Sequence, residues 1–146
     1  ESGAGLCVMH MQGTPQTMQQ NPTYNDVVRE VAEYLRSRRD ALVEAGVDAA
    51  RITLDPGIGF GKSFEHNLEL LQNCSVFHEL GCPVLVGHSR KRFLGKLLGD
   101  DEADRTQATV GVALGLAVQG VQILRVHDVR AVREALLAFA ASGGMG

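Results

Sequence analysis

The sequence predicts an α/β fold made of four successive βα units. Three observations predict it. Short apolar runs alternate with helical stretches four times along the chain, which implies parallel strands joined by right-handed crossovers. The runs are apolar almost throughout, as expected of strands covered on both faces. Each run turns polar or charged only at its C-terminal end, the end at which parallel α/β folds bind ligands. Alternation alone admits a doubly wound sheet or part of a (β/α)8 TIM barrel. The chain has 146 residues, whereas a whole barrel needs roughly 250, so four units make half of one.

The elements follow in order. Leu6, Cys7, Val8 and Met9 form the first strand, which ends in His10, Met11, Gln12 and Gly13. A polar loop with Pro15 and Pro22 leads to a helix predicted over 25–45. Val27, Val31, Tyr34, Leu35 and Leu42 recur on one face of it, with charges opposite. Asn25 or Thr23 is placed to cap its start, and Gly46 suits the position just past its end. The second strand covers 51–54 and ends in Asp55, Pro56 and Gly57, and a helix follows over 64–80, closed by Gly81. The third strand covers 83–86 and ends in Gly87, His88, Ser89, Arg90 and Lys91. A short helix over 91–98 and a longer one over 103–119 come next. The fourth strand covers 121–124 and ends in Arg125, Val126, His127 and Asp128, before a last helix over 129–141.

Composition excludes several classes of protein. Hydrophobic residues make up 45% and charged residues 21%, ordinary for a globular domain. A net charge of −3 gives no reason to expect nucleic acid or an anionic membrane as partner, and no apolar run approaches the roughly 20 residues of a membrane span. The first five residues carry no basic region and do not read as a secretory signal. The lack of an initiator Met carries the expectation that the chain is cut from something longer. Three cysteines, Cys7, Cys74 and Cys82, form no CxxC pair and read as small apolar residues of a reducing, cytoplasmic compartment.

Asp55-Pro-Gly-Ile-Gly-Phe-Gly-Lys62-Ser63 superficially suggests a P-loop. A P-loop would require Gly at position 56, where Pro56 stands, and counting from Gly57 leaves the spacing one residue short. The alternatives are a plain flexible loop, or a loop whose glycines let the backbone approach a ligand. In the second case Asp55 is the specific contact, because a carboxylate accepts two parallel N–H bonds from an amidine-like edge such as that of a pterin. Arg90, Lys91 and Arg92 put three cations at a helix start, where they oppose the helix dipole. An anionic or electron-rich ligand explains them better than helix stability does, with Lys91 donating to ring acceptors and Arg90 flanking a carboxylate or holding the loop. Arg125 and His127 are two residues apart on an extended chain, hence on one side of it. They precede a helix start, a combination that suits a diphosphate. His10, His88 and His127 all fall on the predicted ligand face, but no pair has helical spacing and no carboxylate stands out as a base, so no metal ligand is assigned. His66 and His78 are expected at a helix surface or rim.

Met9-His-Met-Gln-Gly13, Asp55-Pro-Gly-Ile-Gly-Phe-Gly-Lys62, Gly87-His-Ser-Arg-Lys91 and Arg125-Val-His-Asp-Val129 resemble, in order and in spacing, the motifs of dihydropteroate synthases. The resemblance covers nearly the whole chain. It implies strands five to eight of a (β/α)8 barrel, with residues 1–146 the C-terminal part of a pterin-binding domain whose N-terminal half is absent. It implies that Asp55 and Lys91 hold the pterin, with Met9, Gly59, Phe60 and Gly87 shaping its pocket and Ser89 and Arg90 beside them. Arg125 and His127 would hold the diphosphate, and Lys91, Arg125 and His127 would carry the catalytic electrostatics. Phe60 and Lys91 would border the p-aminobenzoate site, where sulfonamides compete. The implied reaction joins 6-hydroxymethyl-7,8-dihydropterin diphosphate to p-aminobenzoate in folate biosynthesis, with Mg2+ assisting the departing diphosphate. The family's Mg2+-binding Asn loop and its other N-terminal pterin contacts have no counterpart here. The family also implies a homodimer as the full-length enzyme. A binding module for a pterin or methyltetrahydrofolate, without synthase activity, is the alternative, and diphosphate binding separates the two.

Overall fold

The structure, a computed structural model, describes residues 3–18 and 20–144; the Glu1-Ser2 part of the N-terminal reading lies outside them. Strand β1 (Leu6–Met9) pairs in parallel with β2 (Ile52–Asp55), Met9 opposite Asp55. Strand β3 (Leu85–Val86) pairs in parallel with β4 (Ile123–Leu124). A parallel bridge from Leu54 to Val84 joins the two pairs, so the strands follow one another in chain order. The ladder continues past the strand ends, with the Arg125 N–H donating to the Val86 carbonyl at 3.0 Å and the His10 N–H to the Asp55 carbonyl at 3.0 Å. All four C-terminal strand ends therefore emerge on one side.

Helices lie between the strands as predicted, with informative differences at their ends. Helix α1 (Val27–Glu44) buries Val27, Val31 and Leu35. Its cap is Asp26, whose carboxylate accepts from the Arg29 N–H at 2.9 Å, rather than Asn25 or Thr23. Asp26 is better placed because its extended backbone aims the side chain back at the first turn. Tyr34, assigned to the buried face, is 40% exposed. The single helix expected over 64–80 is two pieces, α2 (Phe64–Gln72) and a 3-10 helix (Cys74–Leu80). The break falls at Asn73, whose side-chain amide donates to the Glu69 carbonyl and competes with the helical ladder. Gly81 closes the second piece in the left-handed conformation. Helix α3 (Arg92–Leu98) begins after Lys91, and helix α4 (Thr106–Val118) starts three residues later than its periodicity suggests. Helix α5 (Val129–Ala141) has the predicted bounds.

The core lies between β2, β3 and the helices that cross them. Leu54, Ile58, Leu70, Phe77, Val84, Val86 and Leu94 are fully or almost fully enclosed there. The expectation that every strand is covered on both faces holds for the middle strands and not for the outer ones. Leu6 on β1 is 38% exposed and Ile123 on β4 is 39% exposed, because no element among the described residues pairs with their outer edges. Each outer edge is a row of backbone groups open to pairing.

Candidate functional site

The β2–α2 turn is built on left-handed glycines. Gly57, Gly59 and Gly61 have φ of 71°, 82° and 61°. A side chain at Gly57 would place Cβ 1.8 Å from the His10 carbonyl oxygen, so the turn lies directly on the end of β1. This close approach brings Asp55, only 3% exposed, to the floor of the ligand face. Its Oδ1 accepts from the Gly57 N–H at 2.8 Å, and its Oδ2 lies 3.6 Å from Arg125 Nη2. Burial raises the carboxyl above its ordinary pKa; the Gly57 N–H and the cations Arg125, Lys91 and Lys62 oppose that shift.

Lys91 reaches back from the start of α3 to the same turn. Its ammonium donates to the Ile58 carbonyl and stands 4.3 Å above the Phe60 ring. Gly59 is needed there, since a Cβ would come 2.9 Å from Lys91 Cδ. Burial is the largest effect on Lys91, bringing its pKa down to about 8 against the pull of Asp55. The Gly59 N–H donates to Asn67 Oδ1 on α2 at 2.6 Å, which holds the tip of the turn.

Ser89 and His127 close the other side. Ser89 Oγ accepts from the His127 backbone N–H at 3.2 Å and lies 2.9 Å from His127 Nδ1. Gly87, Ser89, Lys91, Arg125, Val126 and His127 line one cavity of about 340 Å³. Lys91 also borders a second, of about 580 Å³, which includes Gly59, Phe64, Arg92, Phe93 and Lys96.

Asp55, Gly59, Phe60, Gly87, Ser89, Lys91, Arg125 and His127 are thus brought together. Met9 lies half-buried beside Asp55 in the strand register. Arg90 is the departure. It is exposed and sits at a left-handed φ of 56°. Its backbone explains why: its N–H donates to Thr109 Oγ1 at 3.2 Å and its carbonyl accepts from Arg105 at 3.2 Å, so this kinked residue anchors the loop to α4. The N-terminus of α5 is occupied by its own cap, the Asp128 carboxylate accepting from the Ala131 N–H at 2.9 Å.

The three histidines do not converge. His10 Nδ1 faces Lys62 Nζ, His88 Nε2 faces the Thr109 carbonyl, and His127 is held by Ser89. No group of three or more His, Cys, Asp or Glu among the described residues could hold a metal ion, and the cationic lining of the smaller cavity does not fit Mg2+. His66 caps α2 as part of a capping box, and His78 lies 2.8 Å from the Gln119 carbonyl. Sequence reasoning missed Lys62, which is 3% exposed, and Asn67. A lysine just before the Ser63 helix start opposes the helix dipole as Arg90 and Lys91 do, and that signal was available.

Gly87 gives a direct check on this geometry. A Cβ there would lie 2.6 Å from Arg125 Nη2, the far end of a flexible side chain. Gly87→Ala is therefore expected to displace the Arg125 side chain with no change in thermal melting. An Arg125 left in place in a crystal structure of the variant would contradict this geometry.

Fold and site together define a parallel α/β protein whose polar groups gather at the carboxyl ends of its strands. Residues 1–127 match the family model described as "Pterin binding enzyme", and the chain belongs to that family. It is 46% identical over 145 residues to dihydropteroate synthase of Neisseria meningitidis serogroup C, covering 98% of this chain and 51% of that one. It superposes on the Yersinia pestis dihydropteroate synthase with a sulfonamide drug complex at a TM-score of 0.91 and 39% identity, covering 97% of this chain and 52% of the other. Thermus thermophilus dihydropteroate synthase, solved in complex with 6HMPPP, matches at a TM-score of 0.85 and 47% identity, over 92% of this chain and 54% of that one. The same protein has been solved with 4-aminobenzoate. The chain spans about half the length of the curated relatives it matches. No helix among the described residues is long and apolar enough to cross a membrane.

Proposed function

We propose that this chain is the C-terminal part of a dihydropteroate synthase of the folate pathway, strands five to eight of a (β/α)8 barrel. The observation that carries the reading is the convergence of Asp55, Lys91, Arg125 and His127 from three successive strand ends. The pterin lies with its amino and N3–H edge on the Asp55 carboxylate, and Lys91 donates to a ring acceptor. The diphosphate lies in the smaller cavity against Arg125, Ser89 and His127. The p-aminobenzoate, or a competing sulfonamide, enters beside Phe60 and Lys91.

In the reaction the pterin CH₂–O bond breaks and a bond forms from that carbon to the arylamine nitrogen. The amine loses a proton and diphosphate leaves. No covalent nucleophile is needed, and the cations of this segment stabilise charge growing on the leaving group. Mg2+ would further neutralise the diphosphate, held by residues outside this segment. The complete enzyme is a cytoplasmic homodimer in this reading. Support for pairing comes from α4, whose exposed face carries Gln107, Gly111, Gly115 and Val118, the last 62% exposed.

The test is turnover. The complete protein is expected to form dihydropteroate from the two substrates. The 146-residue segment alone is expected to show none and to associate through the open edges of β1 and β4, with activity restored on adding the N-terminal half. Full turnover by a stable monomeric segment would contradict the reading, and pterin binding without diphosphate binding would point to a carrier module instead.

A further inference from the structure

We propose that Lys62 is a positioning residue of this site: its ammonium pins the β2–α2 turn onto the end of β1 and stands as a buried counter-charge behind the Asp55 carboxylate. The inference rests on the pterin reading of Asp55. Lys62 is 3% exposed, and lysines are almost never buried to this depth unless paired. Its Nζ donates to the Phe60 carbonyl at 2.9 Å, closing the turn on itself, and lies 3.0 Å from His10 Nδ1 across the strand boundary. Both partners are neutral: burial holds the His10 imidazole down to about 4, so at neutral pH it accepts from the ammonium.

The two neutral acceptors take two of the three N–H bonds of Lys62 and supply no opposite charge. The charges that act on it are Asp55, which favours the ammonium, and Lys91, which opposes it. Asp55 in turn faces Arg125, Lys91 and Lys62, and Glu30 acts on His10 from α1. Tyr24, whose hydroxyl donates to the Gly61 carbonyl at 2.7 Å, completes the enclosure. The room is tight: a Cβ at Gly57 would lie 3.4 Å from Lys62 Nζ, and one at Gly61 would lie 2.4 Å from the Gln12 carbonyl oxygen.

Stability does not explain this lysine. Burial brings its pKa down to about 7, so retaining the charge opposes folding, and an apolar side chain of equal length would fill the space at lower cost. What the charge does accomplish is to add, after the Gly57 N–H, Arg125 and Lys91, a further pull towards the ionised form of a carboxyl whose pKa burial raises. Asp55 accepts two N–H bonds from a pterin only when ionised.

The experiment uses the full-length protein that carries this segment and the diphosphate-free probe 6-hydroxymethylpterin, with affinity measured by calorimetry from mildly acidic to mildly basic pH. Wild-type affinity is expected to fall on the acid side as Asp55 takes up a proton. Lys62→Met, of similar length and uncharged, removes a positive neighbour, so the neutral carboxyl is favoured and its pKa rises. The acid limb should then move to higher pH by no more than about one unit, since Lys62 is the weakest of the three cations that act on Asp55. Lys62→Arg keeps the charge and should return the limb towards wild type. Lys62→Gln, whose amide can still donate to the Phe60 carbonyl, gives a second uncharged variant, and circular dichroism identifies which variants are folded. Coincident acid limbs in the wild-type protein and the uncharged variants overturn the proposal and leave the pterin reading standing. An arginine variant that behaves like the methionine one also overturns it. A wild-type protein that does not bind the probe removes the pterin reading itself.

Discussion

Asp55→Asn is expected to keep the fold and weaken pterin binding by about 10- to 100-fold, equivalent to the roughly 1.5–3 kcal/mol of a hydrogen bond to a charged group. The asparagine oxygen can still accept from the Gly57 N–H that Oδ1 takes at 2.8 Å. Its amino group replaces the second carboxylate oxygen, however, and meets the pterin N–H edge donor to donor. Asp55→Ala removes both functions. It should lose the pterin and also destabilise the protein by about 1–3 kcal/mol, because the Gly57 N–H is left in a buried site without an acceptor. Comparing the two variants by calorimetry and thermal melting separates ligand recognition from turn integrity. Pterin affinity unchanged in Asp55→Asn would take Asp55 out of the site.

Arg125→Ala is expected to cost inorganic pyrophosphate a similar 10- to 100-fold, about 1.4–2.8 kcal/mol, and to flatten the salt dependence of binding. The Arg125 side chain is 60% exposed, so its removal should change stability by no more than about 0.5 kcal/mol. Arg125→Lys should recover only part of the affinity, since a single ammonium cannot make the paired, planar contacts of a guanidinium. Pterin binding should weaken slightly as well, because Arg125 is one of the cations that favour the Asp55 carboxylate. Pyrophosphate binding equal in Arg125→Ala and wild type would place the anion elsewhere.

Much of this architecture was legible because parallel α/β proteins separate structural from chemical residues along the strand. Leu54 and Val86 are buried and chemically inert, while Asp55 and the Gly87–Lys91 segment follow at once. The two-residue spacing of Arg125 and His127 put both on one cavity, as an extended chain requires. Legibility ended where tertiary contacts decide. Periodicity cannot show that Asn73 breaks a helix through its own side chain, and it overstated the coverage of β1 and β4, where Leu6 and Ile123 are exposed. Arg90 looked equivalent to Lys91 in a run of cations, but its left-handed backbone is tied to α4 through Thr109 and Arg105. Lys62 stands before a helix start like Arg90 and Lys91, but its burial under the turn of Gly57 and Gly61 is a tertiary contact that its position in the sequence does not carry.

The central claim is that one face carries a pterin end at Asp55 and an anion end at Arg125 and His127. The most direct measurement is a crossed calorimetric titration of the full-length protein, with 6-hydroxymethylpterin and inorganic pyrophosphate each titrated into wild type, Asp55→Asn and Arg125→Ala. The account predicts that Asp55→Asn loses the pterin and retains pyrophosphate, while Arg125→Ala loses pyrophosphate and retains most of its affinity for the pterin. Equal losses of both ligands in both variants, or no loss in either, would contradict it.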